Sequence, residues 1–259
     1  MDHFIENVRQ GNKAFARGDY GKALSRYQQA LEGGKGDPDR VADLYGNMAN
    51  VCAATGQFEK AVEYYQAAVR IFRLEEDYVR LGISFVNIGN LYADRDERDR
   101  AFHFYSQGLL LLEQEGRYDD LAVVYGNLSL LYLKGGTRAL ALDAAEKGIA
   151  FAKKMNNPPR LADAYHRLAR AKGELGDMAG ALALSASSCN IYRSLSDELG
   201  VAASLFLQAG LCEKRGDLAG AVHRLTEVVA LDEKYRLPKL EENRARLRRL
   251  RKELSDKKA

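Results

Sequence analysis

Tryptophan is absent from this chain of 259 residues, and proline occurs only four times. So few prolines leave long stretches free to run as uninterrupted helix, and the abundance of Ala, Leu, Glu, Lys and Arg favours helix further. The three cysteines, Cys52, Cys189 and Cys212, are odd in number, widely spaced and flanked by apolar residues. That pattern suits buried thiols in a reduced, cytoplasmic chain rather than a disulfide framework. No apolar run approaches the roughly 18–20 residues of a membrane span. Residues 1–6 (MDHFIE) lack the basic and apolar regions of a secretory signal. Excess charge is also scarce: the net charge is +3, with 46% apolar and 29% charged residues, so the composition is that of a folded chain and not a disordered one.

The residues that carry chemistry are equally sparse. His3, His103, His166 and His223 have no metal-ligand spacing, among themselves or with the cysteines. Gly33-Gly34-Lys35-Gly36 lacks the preceding strand and the spacing of a phosphate loop, and is expected to be a flexible connection between repeats. The acidic pairs Glu75-Glu76 and Asp119-Asp120 fall at helix junctions, where carboxylates suit helix N-termini. Neither an enzyme nor a metal or cofactor is expected.

What the chain does contain is a repeat. Ala61, Ala101, Ala141, Ala181 and Ala221 stand 40 residues apart, and Tyr45, Phe85, Tyr125, Tyr165 and Leu205 form a second ladder with the same period. The turns before the alanines repeat too, as Gly56-Gln57-Phe58, Asp96-Glu97-Arg98, Gly136-Thr137-Arg138, Gly176-Asp177-Met178 and Gly216-Asp217-Leu218. An earlier copy, Gly18-Asp19-Tyr20 with Ala23, lies 38 residues upstream. Three ladders in one register predict six structural repeats, over residues 3–36, 37–76, 77–116, 117–156, 157–196 and 197–235.

Each repeat reads as two helices. In the second repeat, Asp37-Pro38 supplies a cap and a first-turn proline. Val41, Leu44, Tyr45, Met48 and Cys52 then recur at helical spacing over residues 39–55. Gly56 stops that helix, and residues 58–73 form the next, with Ala61, Tyr65 and Ala68 on one stripe. Asn157-Pro158 and Asp197 look like equivalent caps for the fifth and sixth repeats. The small alanines allow close helix approach and the aromatic one turn later fills the gap above. One hairpin cannot bury both its faces, so stability comes from stacking on neighbours.

Gly89-Asn90-Leu91-Tyr92 with Ala101 and Tyr105, and Gly11-Asn12, Gly18, Tyr20, Ala23, Tyr27 and Ala30, resemble the tetratricopeptide repeat signature. The family unit is usually about 34 residues, six fewer than here. The longer unit resembles that of kinesin light chains, of the Leu-Gly-Asn-repeat spindle-orientation adaptors and of many bacterial proteins. The resemblance covers about residues 4–235. It implies an all-α, right-handed superhelical solenoid of about six helix-turn-helix repeats, used to dock other proteins. The later repeats are degenerate, with Ser185 and Leu225 where the aromatic is expected.

Residues 236–259 differ from the rest. Leu240, Leu247, Leu250 and Leu254 make one apolar stripe, and ten Lys/Arg against four Asp/Glu give a net +6. A basic helix capping the last repeat is expected, with binding of an anionic partner as an added role.

Counting the ladder aromatic of each first helix as position 4, positions 4, 7, 8 and 11 form its packing side, and positions 6 and 9 face the other way, into a concave groove. Position 6 is Asn47, Asn87 and Asn127, then Arg167; position 9 is Asn12, Asn50 and Asn90, then Leu130 and Arg170. Asparagine is a poor helix-interior residue, and its amide offers both a donor and an acceptor to a peptide backbone. In the long-repeat adaptors that the chain resembles, groove asparagines hold a ligand this way. Asn12, Asn47, Asn50, Asn87, Asn90, Asn127, Arg167 and Arg170 are therefore the candidate peptide-binding residues, with the arginines suited to an acidic side chain or carboxylate. The two-carboxylate clamp of the chaperone-binding members is disfavoured, because Ile83 and Asn87 stand where it needs Lys and Arg. The expected function is a protein-interaction scaffold. A peptide-sensing regulator and an end-to-end assembling structural unit are the alternatives, and nucleic acid is disfavoured as a partner.

Overall fold

The computed structural model describes residues 3–34 and 36–257. Among them are thirteen helices and no strand. Six hairpins follow one another: α1 (His3–Ala16) with α2 (Tyr20–Gly34), α3 (Pro38–Ala54) with α4 (Phe58–Leu74), and α5 (Tyr78–Asp94) with α6 (Arg98–Gln114). Next come α7 (Tyr118–Lys134) with α8 (Arg138–Lys154), α9 (Pro158–Glu174) with α10 (Met178–Ser194), and α11 (Glu198–Lys214) with α12 (Leu218–Tyr235). A final helix, α13 (Leu240–Asp256), packs on α12. The helices sort into two compact units, residues 1–120 and 121–259. The fold is an all-α repeat solenoid.

The period originates in the turns. A residue with positive φ occurs every twenty positions: Gly56, Glu76, Asp96, Gly116, Gly136, Asn156, Gly176, Ser196, Gly216 and Arg236. The amide of the next residue reaches back to close the outgoing helix, as in Gln57 N–H to Cys52 O at 2.8 Å and Asp77 N–H to Phe72 O at 2.9 Å. These are the six-to-one bonds of a Schellman closure. In most of these turns that same next residue is the N-cap of the following helix; after Arg236 it is not, and α13 begins from Lys239. Asp37, Asp77, Asn157, Asp177, Asp197 and Asp217 each accept from the backbone N–H three residues on. Two residues thus end one helix and begin the next, and the chain reverses with no slack. The expected caps at Asp37, Asn157 and Asp197 are all formed.

Small side chains set the helix spacing inside each hairpin. Ala23, Ala61, Ala101, Ala141, Ala181 and Ala221 are all 0% exposed. Position 8 of the first helix is equally restricted. A Cβ on Gly11 would lie 2.5 Å from the Tyr27 ring, and one on Gly89 would lie 2.6 Å from Tyr105. Gly33 and Gly34, expected in a flexible connection, instead close α2. Gly34 lies against Phe4, whose ring would stand 2.7 Å from an added Cβ. Lys35 lies outside the described residues.

Each unit has its own core. In residues 1–120, Leu44, Met48 and Val51 pack with Ala14 and Tyr27, and Cys52, Tyr65, Phe72, Phe85 and Ile88 form a second cluster. Arg80 ties successive repeats there. It pairs with Asp39 at 2.7 Å, Asp43 at 3.2 Å and Asp77 at 2.6 Å, while its guanidinium lies 4.7 Å over the Phe72 ring. In residues 121–259, Cys189, Cys212, Leu225 and Val228 join Leu247 and Leu250 of α13 in one cluster. Burial of those two leucines contributes about 1.5–3 kcal/mol each. Half of the six cations of α13 are answered by its neighbours: Arg244 pairs with Glu233, and Arg246 and Arg249 both pair with Glu213.

The turns generate a stability prediction. A left-handed conformation costs a non-glycine residue about 1–2 kcal/mol, and glycine's extra freedom in the unfolded chain costs about 0.5–1 kcal/mol. Glu76→Gly is expected to stabilise the chain by about 0.5–1 kcal/mol, whereas Gly56→Ala destabilises it by a similar amount or more. Urea unfolding midpoints of the two variants, with unchanged m values, check both signs.

Candidate functional site

The candidate residues all lie on the least buried strip of the first helices. Asn12, Asn50 and Arg170 are exposed, and Asn47, Asn87, Asn90, Asn127 and Arg167 are half-buried. At the opposite side, Met48, Ala49 and Cys52 at positions 7, 8 and 11 are buried, as the helical spacing predicts. Asn12, Asn47, Asn50, Asn87 and Asn90 belong to residues 1–120, and Asn127, Arg167 and Arg170 to residues 121–259.

Hydrogen bonding divides the asparagines into two kinds. At position 9, each carboxamide oxygen accepts from a tyrosine of the second helix of its own hairpin: Tyr27 to Asn12 at 2.7 Å, Tyr65 to Asn50, and Tyr105 to Asn90 at 2.8 Å. These tyrosines are 2–4% exposed. Their rings fill the space over position 8, and their hydroxyls emerge at position 9, where they require an acceptor. The three pairs share a spacing of 15 residues. Where the tyrosine is replaced by Ala145, Ser185 or Leu225, the asparagine is replaced as well, by Leu130, Arg170 and Gly210. The Tyr hydroxyl therefore accounts for asparagine at position 9, and the constant spacing and shared loss are the sequence signals for it. In these later hairpins a small polar group closes the gap by other means, as with Ser129 Oγ donating to Ala141 O at 2.7 Å and Ser185 Oγ donating to Ser204 O at 3.1 Å.

Position 6 behaves differently. Asn47 and Asn87 make no side-chain hydrogen bond among the described residues. Asn127 accepts from Arg167 Nη1 at 2.6 Å, so two candidates 40 residues apart are brought into contact. Arg167 lies flat across α7, and a Cβ on Gly126 would stand 2.5 Å from its Cδ. Arg170 is one turn further along α9 and carries no ion pair among the described residues. Burial pushes the pKa of the neighbouring His166 below the usual 6.5, Arg170 and Arg167 push it the same way, and Asp163 opposes them.

No group of His, Cys, Asp and Glu suited to a metal ion occurs among the described residues, and no helix among them is long and apolar enough to cross a membrane. Burial pushes all three cysteine thiols up, away from the thiolate form that nucleophilic chemistry requires.

Two predictions follow from these contacts. Asn50→Ala should cost about 1 kcal/mol by stranding the Tyr65 hydroxyl, and Tyr65→Phe should relieve most of that loss in the double variant, giving a coupling energy near 1 kcal/mol. Asn87→Ala, with no bond to lose, should leave stability unchanged or slightly raised. His166 makes stability depend on pH. Its folded pKa is depressed, so the unfolded chain takes up the proton first; its contribution is complete above about pH 6.5 and declines as the pH falls. Thermal unfolding at neutral and mildly acidic pH should show this loss, and His166→Gln should reduce it.

The tetratricopeptide repeat family model matches this chain twice, over residues 8–74 and 40–114. No curated protein sequence gives a match. Among solved structures, a Rap protein complexed with Competence and Sporulation Factor superposes with a TM-score of 0.71 at 16% identity, covering 98% of this chain and 76% of that one. The Rap conjugation gene regulator of plasmid pLS20, in complex with the Phr* peptide, gives 0.69 at 17% identity over 98% and 74% of the two chains. BtubC (BKLC) from P. vanneervenii gives 0.61 at 22% identity over 72% and 78%. At these identities the likeness is one of fold. The family model thus identifies tetratricopeptide repeats over residues 8–114, and the same 40-residue unit of paired helices continues to Tyr235.

Proposed function

We propose that the protein is an interaction scaffold that binds extended segments of partner proteins along the open strip of its first helices. Asn47 and Asn87 carry this assignment. Asparagine costs a helix interior on the order of 0.5–0.7 kcal/mol relative to alanine, and these two form no side-chain hydrogen bond among the described residues to offset that cost, while each stays partly exposed. Each presents one acceptor and two donors, which matches the C=O and N–H of one peptide unit. Asn12, Asn50 and Asn90 border the same strip, with their carbonyl oxygens held by tyrosine. In residues 121–259, Asn127 and Arg167 form a joined pair with Arg170 nearby, suited to an acidic side chain or a terminal carboxylate.

A regulator that responds to a short signalling peptide is the second form of this function. It is favoured by the two Rap structures, each solved with its factor or peptide and each matched over 98% of this chain. In that case the ligand should slow amide hydrogen exchange well beyond the residues it touches.

Selection of a displayed random-peptide library on the full chain tests the proposal. The selected peptides should bind Asn47→Ala/Asn87→Ala about 5- to 150-fold more weakly, as expected for two lost hydrogen bonds, while the melting temperature holds or rises. Unchanged affinity with a lowered melting temperature would assign both asparagines to the fold and remove the strip as a binding surface.

A further inference from the structure

Residues 121–259 contain a cavity of about 730 Å³ bounded by α9, α11, α12 and α13. This is within the usual range for ligand pockets, about 300–1,000 Å³. Leu199, Phe206, Leu207 and Val228 make its walls largely apolar. Two lining residues, however, carry buried polar atoms with no hydrogen-bond partner, Asn243 Oδ1 and His166 Nδ1. Asn243 is only 3% exposed, and its amide group donates to the equally buried carboxylate of Asp232 at 2.8 Å. That bond fixes the carboxamide's orientation, because the NH2 end must face the carboxylate. The oxygen is left as an acceptor without a donor, a condition that costs about 1–3 kcal/mol. A donor that reached it from the cavity would relieve it without breaking any bond in the protein, after a small shift of the side chains that cover the oxygen.

The charges around the cavity narrow the choice of ligand. Lys214 and Arg246 are paired with Glu174 and Glu213. Arg170 and Lys239, which also line it, are exposed and form no ion pair among the described residues. Asp232 also lines the cavity, its buried carboxylate without a cation partner among the described residues, so Arg170 and Lys239 leave an excess of one positive charge beside an inner acceptor and an apolar body. A fatty acid has no N–H for the acceptor, and a basic peptide would be repelled. The geometry points to a peptide that seats one large apolar side chain in this cavity, donates a backbone N–H to Asn243 Oδ1, and sets a neighbouring carboxylate against Arg170 and Lys239. This rests on the peptide-binding function proposed above and adds a second site, within residues 121–259, that selects an apolar residue adjacent to an acidic one.

The full chain probed against an array of capped heptapeptides, varied through all residue pairs at the two central positions, tests this. Apolar–acidic pairs should be retained, and replacing the acid by lysine should weaken solution binding at least about tenfold. Ala203→Phe, at an exposed position lining the cavity, should abolish the preference by filling the space. Arg170→Glu/Lys239→Glu, on exposed side chains that leave the core untouched, should turn the preference from acidic to basic partners. Retained peptides without an apolar–acidic bias, or a bias that survives both variants, would overturn the cavity site. If such binding still depended on Asn47 and Asn87, the strip would stand without the cavity; an array that retains nothing would remove both.

Discussion

A helix cannot end without leaving carbonyls unpaired, and cannot begin without leaving amides unpaired. In this chain both demands are met by the same two residues. The left-handed residue turns the backbone and the next one donates backward to the old helix; where that residue is Asp77, Asn157, Asp177, Asp197 or Asp217, its side chain also caps the new one. Because this turn recurs every twenty positions, helices of 17 residues follow almost without exception from α3 onward. Equal helices joined by equal turns place each ladder residue at the same height in successive repeats. The alanines, the aromatics and the open strip all depend on that regularity. Half of the turns use glycine and half do not, so the conformation is imposed by the two flanking helices and not by the residue itself.

Inside this frame, packing is solved differently along the chain. The first three hairpins place a tyrosine over a glycine or alanine and give its hydroxyl an asparagine. From the fourth hairpin onward the tyrosine is lost, and serine hydroxyls bonded to backbone carbonyls, or leucine, take over. The change has a consequence at the surface. Without a tyrosine to hold, position 9 is released from asparagine, and α9 carries an arginine there. The binding chemistry proposed for residues 121–259 is thus more cationic than that of residues 1–120, where amides predominate on the strip. The apolar cavity beside α13 adds to this difference.

α13 illustrates how charge can mislead when read alone. Its net positive charge suggests an anionic partner, yet Arg244, Arg246 and Arg249 find their carboxylates on α11 and α12. Much of the basic character is used in seating the helix, and Leu247 and Leu250 complete the core beneath it. The same helix brings Asn243 to the cavity, so capping and the proposed ligand recognition share one element.

Periodicity in the sequence was enough to determine the hairpins, their 40-residue unit, the small residues at the helix crossings and the cap residues, because each of these depends on neighbours within about one turn. It also identified the least buried strip, since exposure around a helix follows from its 3.6-residue turn. Tertiary structure decided which residues on that strip are committed to the fold. Asn50 and Asn87 are alike as letters on similar helices, but only Asn50 faces a tyrosine hydroxyl from the helix beside it. The joining of Asn127 to Arg167 and the unpaired oxygen of Asn243 likewise depend on side chains 40 and 11 residues away. Such contacts are set by how side chains converge once helices pack, a distance in space that spacing along the chain does not encode.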